Sequence, residues 1–492
     1  MHIFEDRFVR SGFLSQFYKT IHNMKKKYFL LIFLFSFSKT FTQISFLPYQ
    51  NKFTQSWPEV VKIGDVNNDG LNDVVLGLQA YGSSVNDHSI LVYIQNVNGT
   101  LNDPIRYPYA SDYKIIGSID IGDLNQDGKN DIILGIKSPS SYYGIFYQNA
   151  SGTLNPIVTT SVNNTVERVR IADINFDGLN DMVISNVQNI QILYQQNTPG
   201  LFLETLIPKP ANAYSYPMPM MEIADMNYDS RNDIVIHIPN LHKVYTYFST
   251  ATGMNPNPAE FDTGVTYDGM SLGDVNNDGK KDLLLCKGPN GTSKIRIIHQ
   301  VSGSSIYADQ GEIPAYELPD AVKVADLNND GKNEIIAAHG GWSNVTVYSQ
   351  NTSGNYTNGY QLFPVAYVTS YNEDGLAIGD INNDGKKDIV IADYNVGLDI
   401  LYNTSAVQLS TQETTQENSV KIYPNPSADF IFIKGDSPFE RYDIYDLSGR
   451  IVRSENLINN EINVKNLAAG KYILGLHSAK TSERYMISFI KN

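Results

Sequence analysis

One cysteine, Cys286, stands in 492 residues, so no intramolecular disulfide and no multi-cysteine zinc site is available to hold this chain together. Basic side chains are scarce: 37 Lys and Arg face 52 Asp and Glu, a formal net charge of −15. A general nucleic-acid binder needs a basic footprint, and that class is excluded. The apolar run Tyr28 to Phe35 is well short of the ~20 residues that span a bilayer. It follows Met24-Lys25-Lys26-Lys27 and precedes small residues at Thr40 and Thr42, the pattern of a secretory signal peptide over 24–42. Residues 1–23 read as a start-site extension. Helical periodicity is also missing throughout.

What is present is repetition. A nine-residue phrase, D-x-N-x-D-G-x-x-D, begins at Asp65, Asp123, Asp173, Asp225, Asp274, Asp326 and Asp380, with spacings of 58, 50, 52, 49, 52 and 54 residues. Alternating apolar residues ending in Gly or Ala precede each copy, as in Val61-Lys62-Ile63-Gly64, and a short apolar run such as Val74-Val75-Leu76 follows it. Both patterns predict strands, which makes the phrase a tight connection between two antiparallel strands. A third strand (Ile90 to Ile94), a Gly/Asn turn and a weaker fourth strand complete about 50 residues. Four strands per repeat, seven times over, predict an all-β chain with a seven-bladed β-propeller over 44–405. The seventh repeat lacks a fourth strand, and the stretch Phe46 to Phe53 is expected to supply it and close the ring.

The phrase has the chemistry of a calcium loop. Side chains at positions one, three and five of a tight turn point inward, and Gly at position six allows the reversal that returns the seventh carbonyl and the ninth carboxylate. The expected ligands are Asp65, Asp123, Asp173, Asp225, Asp274, Asp326 and Asp380 at position one. Position three gives Asn67, Asn125, Asn175, Asn227, Asn276, Asn328 and Asn382, and position five gives Asp69, Asp127, Asp177, Asp229, Asp278, Asp330 and Asp384. Carbonyls come from Leu71, Lys129, Leu179, Arg231, Lys280, Lys332 and Lys386, and the last carboxylate from Asp73, Asp131, Asp181, Asp233, Asp282, Glu334 and Asp388. An all-oxygen donor set suits Ca²⁺, up to seven ions, one per blade. Beyond residue 42 the chain holds 50 acids and 30 bases, and 21 of the acids lie in these loops. Ser230 replaces Gly in the fourth loop and is expected to strain it; Glu334 lengthens the last ligand of the sixth.

With its flanks, Ile63-Gly64-Asp65 through Gly77, the phrase resembles the FG-GAP (VCBS) repeat. That resemblance implies seven-bladed calcium-binding propellers related to those of integrin α chains, with Ca²⁺ between the first and second strands of each blade. After a Ser/Thr/Gln/Glu-rich linker over 406–420, short strand-like runs from 421 to 492 predict a small C-terminal β-sandwich. Tyr423-Pro424-Asn425-Pro426, Asp446-Leu447-Ser448-Gly449-Arg450 and Leu467 to Tyr472 resemble the type A sorting domain of the type IX secretion system. The resemblance implies passage across an outer membrane by that machinery, followed by removal of the domain with release or surface attachment.

No catalytic residues are expected. Gly269-Met270-Ser271-Leu272-Gly273 fits G-x-S-x-G, but it aligns with the strand before every loop. Cys286 reads as a small buried hydrophobe. Aromatic residues crowd the connections opposite the calcium loops, and Tyr81, Tyr142, Tyr143, Trp342 and Tyr394 are the expected contacts for a glycan or an extracellular protein. The expectation is a secreted or cell-surface, non-catalytic adhesion and recognition module without a membrane span. The alternative is a carbohydrate-active enzyme of the lyase or hydrolase type on a propeller scaffold.

Overall fold

The computed structural model describes residues 44–405 and 421–492 apart from 81–83, 111–113, 138–140, 214–217, 289–291, 302–305, 352–353, 357–358, 369–371, 435–438, 447–450 and 479–483. The signal segment 24–42 and the linker 406–420 lie outside the described residues. Two compact units divide the chain, residues 1–409 and 410–492.

In the first unit, seven four-stranded antiparallel sheets follow one another. The first sheet runs Pro58–Gly64, Asp73–Leu78, Ser89–Tyr93 and Ile105–Pro108, and each sequel repeats that up-and-down order. The opening strands of neighbouring sheets touch in cyclic order, and that of the seventh, Leu376–Gly379, returns to Pro58–Gly64. The sheets are therefore the blades of a closed propeller, numbered here one to seven along the chain. In blade seven the outer strand is Gln50–Phe53, paired with Gly397–Leu401 from Gln50 against Ile400 to Phe53 against Gly397. The N-terminal stretch supplies the strand that the last repeat lacks.

The continuous apolar runs after each loop have a simple cause. Every second strand is buried on both faces, because a blade is packed between two others. Ile132 and Leu134 face blade one, together with Val75 and Val92, whereas Ile133 faces blade three with Val169 and Ile184. The last wedge joins Val74, Leu76 and Leu398 across the closure. Gly or Ala ends each first strand because the adjacent blade passes close by: a Cβ on Gly273 would fall 2.4 Å from Cβ of Val324.

The second unit holds a three-stranded sheet (Lys421–Tyr423, Phe430–Lys434, Glu461–Asn463) and a four-stranded one (Ile451–Asn456, Phe439–Tyr445, Gly470–Ser478, Arg484–Lys491). Both contribute to one core that includes Ile431, Ile462, Ile444, Leu474 and Phe489, which makes it the expected sandwich.

Candidate functional site

Each acidic loop is held by its own first residue. In loop one, Asp65 Oδ1 accepts from the amides of Asn67 (3.2 Å), Asn68 (2.6 Å) and Asp69 (3.2 Å), while Oδ2 accepts from Gly70 (2.8 Å). Asn67 Oδ1 accepts from Asp69 N, and Asp69 Oδ1 from Leu71 N, at 2.9 and 2.8 Å. The bonds from the sixth amide to position one, the fifth to position three and the seventh to position five recur in all seven loops. The turn requires left-handed backbone at positions four and six, with φ of 63° at Asn68 and 84° at Gly70. Ser230 takes φ 68° where the other loops have glycine, so the expected strain is present.

The ninth residue has a structural role that the sequence reading did not include. Asp73 is fully buried; its Oδ2 accepts from Val66 N (3.0 Å) and its Oδ1 from Gln95 N (2.9 Å), at the end of the third strand. Asp131, Asp181, Asp233, Asp282 and Asp388 repeat both bonds, and Glu334 repeats the first to Leu327 N. These acids staple the loop in place, a role beside the ligand role expected of them, since two amide bonds leave a carboxylate further acceptor sites. Burial pushes Asp73 up to about 6 and Asp388 to about 7. Among the described residues no group of three or more His, Cys, Asp or Glu side chains is arranged to hold a metal ion. Beside that acid, each loop offers two carboxylates, one side-chain amide and the seventh carbonyl. Backbone amides bond the carboxylates at positions one, five and nine alike, and the donor set, which is oxygen throughout, fits a hard divalent cation.

A second cluster was not anticipated. Around the axis, four basic side chains (Lys62, Arg168, Arg170, Lys323) meet four acids (Asp120, Glu222, Glu373, Asp374). Lys62 lies 3.3 Å from Asp120, Lys323 3.1 Å from Glu222, and Arg168 Nε 2.6 Å from Glu373. Glu373 and Asp374 belong to a short 3-10 turn, Glu373–Gly375, that enters blade seven and reaches across to blades two and three. Beside it a cavity of about 260 Å³ is lined by Lys62, Lys323, Asp374 and aliphatic Ile63, Val324 and Ile378. A register signal existed in the sequence: Lys62, Asp120, Arg170, Glu222 and Lys323 all stand three residues before their loops, and Glu59, Glu167, Asp268, Asp320 and Asp374 stand six before.

The aromatic expectations divide. Tyr81 lies outside the described residues. Tyr143 is 8% exposed in the core between blades two and three, which corrects its assignment as a ligand contact. Tyr142 is half-buried and donates to the Tyr109 carbonyl at 3.0 Å. Tyr394 stacks on Trp57 with centroids 4.8 Å apart, and Trp342 meets Tyr316 edge-on at 5.7 Å; all four are half-buried. Ser271 is buried in a plain strand, and Cys286 is buried in the next strand, opposite Gly269.

Two family models match the repeats and the C-terminal unit. The FG-GAP-like repeat family matches residues 65–134, 123–184 and 290–391, and the secretion system C-terminal sorting domain matches 421–490. The chain carries FG-GAP-like repeats and a secretion-system sorting domain. No curated protein matches the sequence. Among solved structures, this FG-GAP-like chain is similar to a periplasmic gluconolactonase, PpgL, of Pseudomonas aeruginosa, at 12% identity and TM-score 0.44 over 61% of this chain and 84% of that one. It is also similar to the Dos1 propeller (10%, TM-score 0.41, 85% and 94%) and to PorZ, a surface component of the type IX secretion system of Porphyromonas gingivalis (11%, TM-score 0.28, 86% and 68%). Such distant likeness carries nothing about activity. The sorting domain addresses the FG-GAP-like propeller for export by type IX secretion to the cell surface or beyond it. Among the described residues no helix is long and apolar enough to cross a membrane.

Proposed function

We propose that this exported propeller is a calcium-stabilised recognition module that captures a glycan or an extracellular protein. The observation that carries the reading is the sevenfold recurrence of one loop arrangement, in which positions one, three, five and seven offer oxygen alone. Crowded carboxylates at a rim favour a bound cation, and an ion that binds only the folded chain stabilises it by mass action. Calcium would supply charge neutralisation and loop stiffness rather than chemistry. Capture then falls to the half-buried rings on the opposite side, Trp57 with Tyr394 and Trp342 with Tyr316, whose flat faces suit sugars and protein surfaces. The test is elemental analysis and thermal melting before and after chelation. Bound calcium and a lower Tm after stripping, restored by added Ca²⁺, support the reading; no metal and an unchanged Tm overturn it. Alanine at Trp57 and Trp342 is expected to remove ligand capture on a glycan array.

A second reading, a carbohydrate-active enzyme, has one observation in its favour. Asp320 is 8% exposed, its Oδ2 has no hydrogen-bond partner, and burial with the neighbouring Asp268 pushes its carboxyl up to about 8. A protonated acid beside a second carboxylate is the equipment of glycosidic chemistry. Product formation by the wild type and its loss in Asp320→Asn would favour this reading over capture alone.

A further inference from the structure

The acidic loops are not separate. Position eight of loop two is Asn130, and its Nδ2 donates to the carbonyl of Asp65, the first residue of loop one, at 2.8 Å. Asn180 reaches the Asp123 carbonyl (3.3 Å), Asn232 that of Asp173 (2.9 Å) and Asn333 that of Asp274 (2.7 Å). Asn72 of loop one carries the pattern over the closure to Asp380 of loop seven, at 3.1 Å. Lys281 and Lys387 occupy position eight in loops five and seven. Between loops six and seven another amide takes over: Asn329 Nδ2 donates to the Gly385 carbonyl at 3.2 Å.

From these links we infer that the loops fill as a coupled chain, each bound cation raising the affinity of the loop next to it. This rests on the calcium reading above and adds a rule to it. Position eight lies between the seventh carbonyl, offered to the ion, and the ninth-position staple. An ion in loop two fixes residues 129–131 and so aims the Asn130 amide. That amide in turn holds the backbone of Asp65, whose carboxylate organises loop one. Loop one then reaches its binding geometry with less conformational freedom left to lose, which is positive cooperativity. Linkage makes the effect reciprocal. One net hydrogen bond corresponds to about a two- to ten-fold change in neighbouring affinity. The amide series is interrupted at Lys281, so coupling is weakest between loops four and five.

The experiment uses the full chain, stripped by EDTA and titrated with Ca²⁺ by calorimetry and with Tb³⁺ by tyrosine-sensitised luminescence. The wild type is expected to bind with a Hill coefficient above one. Asn130→Ala with Asn180→Ala is expected to flatten the curve while the number of ions bound stays the same, because neither side chain belongs to the donor set. Lys281→Asn restores an amide opposite the Asp225 carbonyl and is expected to steepen the curve; it decides the matter alone should the double variant fail to fold. Independent sites in the wild type with no change in Lys281→Asn overturn the coupling and leave the calcium reading standing. Absence of any ion uptake at millimolar Ca²⁺ overturns both.

Discussion

Arg170 and Asp374 are 204 residues apart and meet at the axis through two parallel contacts, Nη1 to Oδ2 at 3.1 Å and Nη2 to Oδ1 at 2.8 Å. The closing blade thereby holds a blade on the far side of the ring. Both side chains are nearly or fully buried, and the guanidinium holds the carboxyl of Asp374 well below the ordinary range. Asp374 also accepts from Ser118 Oγ at 2.7 Å, so a third blade joins the same carboxylate.

Removing one partner of this pair takes from a buried charge its nearest counter-ion, leaving Arg170 only the longer contacts to Glu373 (3.6 Å) and Glu222 (3.7 Å). Asp374→Ala is expected to destabilise the propeller by about 3–5 kcal/mol, and Arg170→Met combined with Asp374→Leu by less than the single change. Urea unfolding of the three proteins checks the order. A double variant worse than Asp374→Ala would show that the pair itself, rather than its desolvation, dominates.

Asp320 gives a pH dependence of definite sign. Its folded carboxyl titrates near 8 against an ordinary 3.8, with burial as the largest cause and Asp268 next. The folded chain therefore holds the proton more tightly than the unfolded one, and native stability falls as pH rises from about 4 to about 8. Asp320→Asn removes that titration. The variant is expected to gain in Tm relative to wild type across this window, with the largest gain at pH 8 and none at pH 4. A Tm difference independent of pH would reject the assignment.

These two sites mark where reading the sequence stopped. The acidic phrase announced its turns because Asp, Asn and Gly at fixed offsets act locally, within nine residues. The paired apolar runs announced strands for the same reason, and Phe46 to Phe53 could be placed because one repeat was a strand short. Lys62, Asp120, Arg170 and Glu222 also recur at one offset from their loops. That offset meets the axis only once the ring has closed, and their partners come from other repeats. The staple role of the ninth-position acids was not legible because a cage ligand and a staple to Gln95 or Gln148 occupy the same place in the pattern. The bonds to Gln95 and Gln148, 22 and 17 residues further along, form only once the third strand is in place.

Ser230 offers a gain of stability. Six loops place glycine at position six with φ between 76° and 86°, and the fourth holds serine at 68°. Left-handed backbone costs a residue with a Cβ about 1–2 kcal/mol, partly offset by the greater unfolded-state freedom of glycine. Ser230→Gly is expected to stabilise the protein by about 0.5–1 kcal/mol, and Gly178→Ser to destabilise it by a similar amount. Paired denaturation curves check both, and a loss in Ser230→Gly would mean that the serine hydroxyl supports the loop.

The division of labour inside one loop can be tested with two neighbouring acids. Asp127 and Asp131 both belong to loop two, and a simple cage would use both as ligands. In the structure Asp131 is fully buried, with Oδ2 accepting from Leu124 N at 3.0 Å and Oδ1 from Gln148 N at 2.8 Å. Asp127 is exposed, and its Oδ1 accepts from Lys129 N at 3.0 Å. Replacing Asp131 by Asn turns an amide NH₂ toward a backbone N–H inside the protein, which costs about 1–3 kcal/mol for the unsatisfied donor. Positions one, three, five and seven of that loop are untouched. Asp131→Asn is therefore expected to lower Tm yet keep the calcium stoichiometry of the wild type. Asp127→Asn is expected to do the reverse, leaving the metal-free Tm nearly unchanged while one ion is bound more weakly. Equal loss of calcium in the two variants would make Asp131 a ligand as well as a staple and, with it, the other six acids at its position.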